Sequence, residues 1–189
     1  MEGEVYQQSL LRVSDRGAWY AQKSGNIVGI RALASKSRKQ RVVLLGAENE
    51  EALESTAILA EAYRLEGWWE EAEKLHLQVM DTRKTKFGED HYKTLTSINN
   101  LALTFRNQGR WEEAEKLQAQ VMETSKTKLG EDHPSTLTSI NNLALTFWNQ
   151  GRWEEAEKLQ VQVIETSKTK LGEDHPDTLT SIANLASTF

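Results

Sequence analysis

The sequence predicts an all-α fold, a solenoid of antiparallel helix pairs. Three observations carry this expectation. The chain repeats itself every 42 residues, its apolar residues recur at helical spacing, and 189 residues contain two prolines and eleven glycines, few breakers for a turn-rich β fold. The period is the strongest of the three. Gly67, Gly109 and Gly151 recur at this interval, as do Trp69, Trp111 and Trp153, and His91, His133 and His175. Residues 92–133 and 134–175 agree at 37 of 42 positions, and residues 50–91 and 92–133 at 24 of 42. The segment 176–189 matches 134–147 at 11 of 14. Repeats of this size cannot bury an apolar face alone, so neighbours must stack to share a core.

The period sets the organisation. Residues 50–91, 92–133 and 134–175 are three full repeats, and 176–189 is the first helix of a fourth. Upstream, residues 8–49 read as a degenerate helix pair, because Gly25 and Gly46 lie 42 before Gly67 and Gly88 while the other residues diverge. Residues 1–7 are expected to be disordered.

Each repeat reads as two helices. In 134–175 the residues Leu137, Ile140, Leu143, Ala144 and Phe147 form one apolar stripe at helical period. Pro134 suits a first helical position, with Asp132 or His133 as the cap. Gln150-Gly151 ends the helix, because glycine reaches positive φ without strain. The second helix starts at Trp153-Glu154-Glu155, with acidic residues at the positive end of the helix dipole. Ala156, Leu159, Val163 and Ile164 form its stripe, Glu154 and Lys158 are spaced as an i,i+4 ion pair, and Lys168 and Lys170 lie near its C-terminal end. Ala144 opposite Ala156 would permit close helix approach. Tyr92 and Glu50 take the place of Pro134 in the earlier repeats.

Composition fits a thin array. Hydrophobic residues make up 38%, below the roughly 45–50% of a globular domain. Six Trp, four Tyr and four Phe still exceed what a disordered chain carries. The absence of cysteine excludes disulfides, thiolate metal sites and a cysteine nucleophile. An acidic start without an apolar run argues against a secretory signal, and the longest apolar stretch, Val42–Leu45, is far too short for a membrane span. The expectation is a soluble, cytoplasmic protein. Residues 1–45 carry a net +5 and residues 46–189 a net −10, so the body is not built for a nucleic-acid backbone. The basic stretch Lys36-Ser37-Arg38-Lys39-Gln40-Arg41 is expected to be a solvated helix face.

Leu143-Ala144, Phe147, Gly151 and Ala156 resemble the helix-pair signature of the tetratricopeptide repeat. The 42-residue period, Asn141-Asn142-Leu143-Ala144, Asn149-Gln150-Gly151 and Leu171-Gly172 followed by His175-Pro176 resemble its kinesin-light-chain type. The resemblance covers about residues 45–189 and implies a right-handed superhelix whose first helices line a concave, partner-binding side. The array with a degenerate start is also similar to the C-terminal arrays of fungal NB-ARC or NACHT signalling ATPases. The sequence contains no phosphate-binding Gly-x-x-x-x-Gly-Lys-Ser/Thr loop, so no nucleotide site carries over.

By that resemblance the candidate protein-binding face comprises Thr96, Asn99, Asn100, Leu103, Arg106 and Asn107, then Thr138, Asn141, Asn142, Leu145, Trp148 and Asn149, and Asn184 in the last helix. Asparagine offers donor and acceptor together, which suits an extended peptide backbone. Glu54, Ala57, Ile58, Glu61, Arg64 and Leu65 hold these registers in the first repeat. There the first helix matches its successor at 5 of 17 positions, against 19 of 25 in the remainder. Trp148 stands where the earlier repeat has Arg106, and reads equally as a binding anchor or as packing.

No catalytic, cofactor or metal site is expected. His91, His133 and His175 each follow Glu-Asp. Equivalent residues of packed helices about 8–10 Å apart cannot share one ion, so these histidines are expected to cap helices. The adjacent carboxylates Glu112-Glu113 and Glu154-Glu155 do not face each other. The sequence therefore predicts a non-enzymatic protein-interaction scaffold taking a protein or peptide partner. The alternatives are the detached sensor array of an NB-ARC/NACHT-type ATPase or a kinesin-light-chain-like cargo adaptor. The last helix, stopping at Phe189 in mid-pattern, is expected to fray or self-associate, with Leu185 and Phe189 uncovered.

Overall fold

The computed structural model describes residues 27–186. Among these residues there are eight α-helices and no strand: α1 (Ile27–Leu45), α2 (Glu50–Leu65), α3 (Trp69–Phe87), α4 (Tyr92–Asn107), α5 (Trp111–Leu129), α6 (Pro134–Asn149), α7 (Trp153–Leu171) and α8 (Pro176–Ala186). The even-numbered helices begin at 50, 92, 134 and 176 and the odd ones at 27, 69, 111 and 153, so the 42-residue register continues back into α1. Residues 1–7, most of the first half of the degenerate pair, and Phe189 lie outside the described residues. The chain forms two compact units, residues up to 104 and residues from 105 onward. Within each unit consecutive helices pack on one another in the manner of a repeat solenoid: α1 on α2 and α2 on α3 in the first, α5 on α6, α6 on α7 and α7 on α8 in the second.

Local chemistry sets the helix ends. Asn49 caps α2, its side chain accepting the Glu51 N–H at 2.9 Å. His133 caps α6 in the same way, Nδ1 accepting the Ser135 N–H at 3.1 Å, and His91 Nδ1 accepts the Lys93 N–H at 3.2 Å. These histidines replace the asparagine of the first repeat as acceptors for orphan helix N–H groups. At the other end of α6, Gly151 adopts φ +76°. The Arg152 N–H then reaches the Phe147 carbonyl at 2.9 Å and the Gly151 N–H the Trp148 carbonyl at 2.9 Å, a Schellman closure. Tyr63 to Trp68 close α2 with the same pair of bonds, at 2.9 and 3.2 Å.

The second unit has the core the stripes predict. Leu137, Ile140 and Leu143 of α6 pack with Met122 of α5 and Val163 of α7, and Phe147 and Leu159 lie against them. Ala144 and Ala156 are completely buried. The Arg152 guanidinium lies 4.0 Å from the Phe147 ring and Arg110 repeats this on Phe105. In the first unit, where position 68 is tryptophan, Arg31 of α1 takes over, 5.9 Å from Tyr63 and 5.7 Å from Trp68, with Glu66 at 3.2 Å.

Three expectations change. Glu154 does not pair with Lys158; Glu155 pairs instead with Arg152, whose forked guanidinium reaches it at 2.5 and 2.6 Å and holds its pKa below the usual carboxylate value. The basic stretch of α1 is not a wholly solvated face. Lys36 and Lys39 are exposed, but Ser37 and Arg41 are buried and Arg38 bonds Thr56 Oγ1 at 3.2 Å. A four-residue spacing put Ser37 and Arg41 on the side facing α2, where Ser55 bonds both. Among the described side chains of α8 the large exposed apolar ones are Leu179 and Ile182, whereas Leu185 is half-buried.

Candidate functional site

The first unit holds Thr96, Asn99, Asn100 and Leu103 on α4. Thr96 is exposed and the other three are half-buried. The second unit holds Arg106 and Asn107, then Thr138, Asn141, Asn142, Leu145, Trp148 and Asn149 on α6; Thr138 and Asn149 are exposed and the rest half-buried. None of these side chains is sealed in the core. The residues between them, such as Leu101 and Ala102 or Leu143 and Ala144, are buried at 0–3% exposure. One turn of helix thus presents a closed apolar side and a polar side that remains reachable. Asn184 lies in α8, and its side chain falls outside the described residues.

The polar side is not uniform. Thr96 and Thr138 donate their hydroxyls to the carbonyls four residues back, of Tyr92 and Pro134, each at 2.9 Å. They leave a methyl and an acceptor to the surface. Asn141 Oδ1 is buried with no hydrogen-bond partner, an acceptor left over in a half-buried side chain. Trp148 packs at 6.0 Å from Trp153, planes 44° apart, within its own repeat. The ring is half-buried there, so packing accounts for part of it. In the first repeat the corresponding registers are closed differently. Ile58 packs on Ile30 and Ala62, and Arg64 forks onto Glu61 at 2.5 and 2.8 Å.

Several polar groups inside the stack escape an apolar-stripe reading. His76, Gln118 and Gln160 share one register, each 1% exposed. Gln118 accepts the Thr146 hydroxyl at 2.6 Å. His76 has no hydrogen-bond partner at either ring nitrogen, and burial pushes its pKa from 6.5 down to about 4, against the opposing pull of Glu61. Arg41 and Arg83 share another register, which Ser125 and Ser167 fill later. Arg83, 3% exposed, donates to Ser97 Oγ at 3.1 Å and to Glu50 and Glu54 at 2.7 Å each. The stripe Ala114, Gln118, Val121, Ser125 runs at i, i+4, i+7, i+11, so helical period placed these polar residues inside although their types suggested outside.

Among the described residues no three or more His, Asp or Glu side chains stand together as a metal set, and no helix is long and apolar enough to cross a membrane.

A family model described as Tetratricopeptide repeat matches residues 51–124, 94–169 and 140–189, well over half of the chain. Among solved structures, one similar protein is from Podosopora anserina, assigned to the kinesin light chains and described by its nearly identical TPR-like repeats. It is 28% identical at a TM-score of 0.77, covering all of this chain and 87% of that one. A variant of the same protein aligns at 0.78 with the same identity and coverage. BtubC (BKLC) from P. vanneervenii aligns at 0.73 with 18% identity, over 97% of this chain and 80% of that one. Among curated proteins there is no significant match.

Proposed function

We propose, since this chain belongs to the tetratricopeptide repeat family, that it is a non-enzymatic scaffold that holds a peptide or partner segment along the polar side of its first helices. No catalytic family is indicated. The observation that supports the reading is the half-buried state of Asn99, Asn100, Asn141 and Asn142 beside fully buried neighbours. A half-buried amide is held in place by its surroundings and still reaches the surface. Likeness to kinesin-light-chain repeats at 28% identity favours a cargo-adaptor version of this role. A link to an ATPase domain of the NB-ARC or NACHT type is a separate proposal, tested by reading the coding sequence on either side. A cytoplasmic location belongs to the same reading.

The test is peptide selection from a displayed library, followed by affinity measurement on the quadruple variant Asn99→Ala, Asn100→Ala, Asn141→Ala, Asn142→Ala. Affinity should fall by about tenfold or more with far-UV circular dichroism unchanged. Unchanged affinity at unchanged helicity removes the groove assignment.

A second reading concerns α8. Leu179 and Ile182 are 52% and 36% exposed, while Leu137 and Ile140 at the same register are 7% and 0%. Self-association of the 189-residue chain through this surface follows if nothing else covers it. Sedimentation velocity should then show dimers that Leu179→Gln with Ile182→Gln dissolves; a monomer at all concentrations removes the reading.

A further inference from the structure

A cleft of about 450 Å³ opens in the first unit between the N-terminal turns of α2 and α4, with α3 beneath. Glu50, Glu51 and Glu54 come from α2, Tyr92 and Lys93 from α4, and Arg83 of α3 forms the floor. The repeats that follow do not build it. Pro134 and Ser135 stand at the registers of Tyr92 and Lys93, Ser125 and Ser167 at that of Arg83, and Thr138 at that of Glu54. An array in which two repeats agree at 37 of 42 positions thus carries a junction with its own chemistry.

The charges are layered. Side-chain exposure is 68% at Glu51 and 62% at Glu54, against 3% at Arg83 and 7% at Arg41, the latter 3.7 Å from Glu51. Lys93, 30% exposed, pairs with Glu50 at 3.2 Å. Both guanidiniums therefore lie beneath the carboxylates they neutralise, and an approaching ligand meets carboxylate oxygens first. An anion cannot reach Arg83 without displacing Glu50 and Glu54. The floor is also incompletely satisfied, since Glu50 Oε2 and Arg83 Nε are buried without hydrogen-bond partners.

Tyr92 is the aromatic residue of the lining. Its ring packs 4.7 Å from that of His91, which does not line the cleft and which stacks in turn on Phe87 with centroids 4.7 Å apart and planes at 22°. Tyr92 is 64% exposed. A cation already uses this row, Lys93 Nζ lying 5.6 Å from the Phe87 centroid. Exposed carboxylates opposite an exposed ring are the elements that bind an ammonium or guanidinium, by charge-assisted hydrogen bonds and by attraction to the ring face.

We propose that this cleft receives a lysine or arginine side chain of an extended peptide, and so selects partners with a basic segment at the α2–α4 junction. The proposal rests on the peptide-binding reading above, and the experiment separates the two. Six-residue peptides with a central Lys-Lys, Glu-Glu or Ala-Ala pair in an Ala/Ser background are titrated into the full chain, followed by amide nitrogen–proton spectra. The Lys-Lys peptide should shift the Tyr92, Lys93 and Thr96 amides and bind more tightly than the other two.

Glu51→Gln with Glu54→Gln should weaken it by about threefold or more, and Tyr92→Pro, the residue the later repeats use, by a similar factor. Glu154→Gln with Glu157→Gln, the same charge change on α7, should leave it unaltered. Equal weakening by both carboxylate pairs would mean general charge attraction and overturn the proposal. Shifts at Asn141 and Asn142 from all three peptides without charge preference would overturn it while leaving the groove reading intact. No shift with any peptide would overturn both.

Discussion

Arg83 on α3 and Ser167 on α7 occupy the same place in the 42-residue register, one in each compact unit. Arg83 is buried at 3% exposure and is held by Glu50, Glu54 and Ser97. Ser167 is buried at 2%, with Pro134 and Thr138 where the first unit has Glu50 and Glu54. His76 and Gln118 are a second such pair, the first without a hydrogen bond at either ring nitrogen, the second bonded to Thr146. Fully buried alanines, Ala60 and Ala72 in one unit, Ala144 and Ala156 in the other, do not change. The comparison teaches that helix approach is fixed by small apolar residues. The polar seam between helices is exchangeable, provided that its partners on the facing helices change with it.

The largest expected effect comes from moving the charge without its partners. Ser167→Arg places a guanidinium where no carboxylate stands at the Pro134 and Thr138 registers, and should lower stability by about 3–5 kcal/mol. Adding Pro134→Glu and Thr138→Glu should recover part of this. The reverse change, Arg83→Ser, should cost about 1–2 kcal/mol, less because Glu50 and Glu54 are partly exposed and can hydrate. Urea unfolding followed by circular dichroism measures all three. If Ser167→Arg is as mild as Arg83→Ser, the seam does not depend on its partners.

The second effect is the acid sensitivity that His76 gives the first unit. The folded pKa of His76, about 4, lies below the ordinary 6.5 because burial disfavours the charged ring. The unfolded chain therefore binds the proton first. Stability is fully present above about pH 6.5 and is lost as pH falls towards 4. A shift of this size corresponds to about 3 kcal/mol at the acid end. His76→Gln installs the residue of the later repeats and should flatten the stability profile between pH 6.5 and 4. An unchanged slope would assign the acid response to other groups.

How much of this was legible depends on where the physics is local. The ends of α6 were readable because Pro134, Gln150 and Gly151 act on their own backbone, and the stripe Leu137, Ile140, Leu143 needs nothing but helical period to define a side. The Arg152–Glu155 fork was missed in favour of Glu154–Lys158. Spacing alone admits both, and the choice is made by Arg152 being already anchored on Phe147 and Glu115. Arg41, Arg83 and Gln118 were missed for a further reason. A polar residue on an apolar stripe is stable only if its bonds are met by another helix, and those partners lie 10 to 33 residues away. On the candidate face, period and resemblance named Thr96 and Thr138, but not that their hydroxyls turn back on their own helix. The cleft at the α2–α4 junction left one sequence signal, the departure of Glu50, Glu54, Arg83 and Tyr92 from the residues the later repeats use.

The smallest effect tests the caps, where α2 and α6 differ by residue type. Asn49 accepts the Glu51 N–H at 2.9 Å and His133 the Ser135 N–H at 3.1 Å. Asparagine is among the preferred cap residues and histidine is not. Asn49→Ala should therefore cost about 1 kcal/mol. His133→Ala should cost about half of that, and His133→Asn should gain about 0.5 kcal/mol over the wild type. Hydrogen exchange at the Leu53 and Leu137 amides, which donate back to the Asn49 and His133 carbonyls at 2.9 and 3.0 Å, reads each helix start separately. If the two alanine variants speed exchange at these amides alike, the caps are equivalent and the histidine at this register is there for another reason.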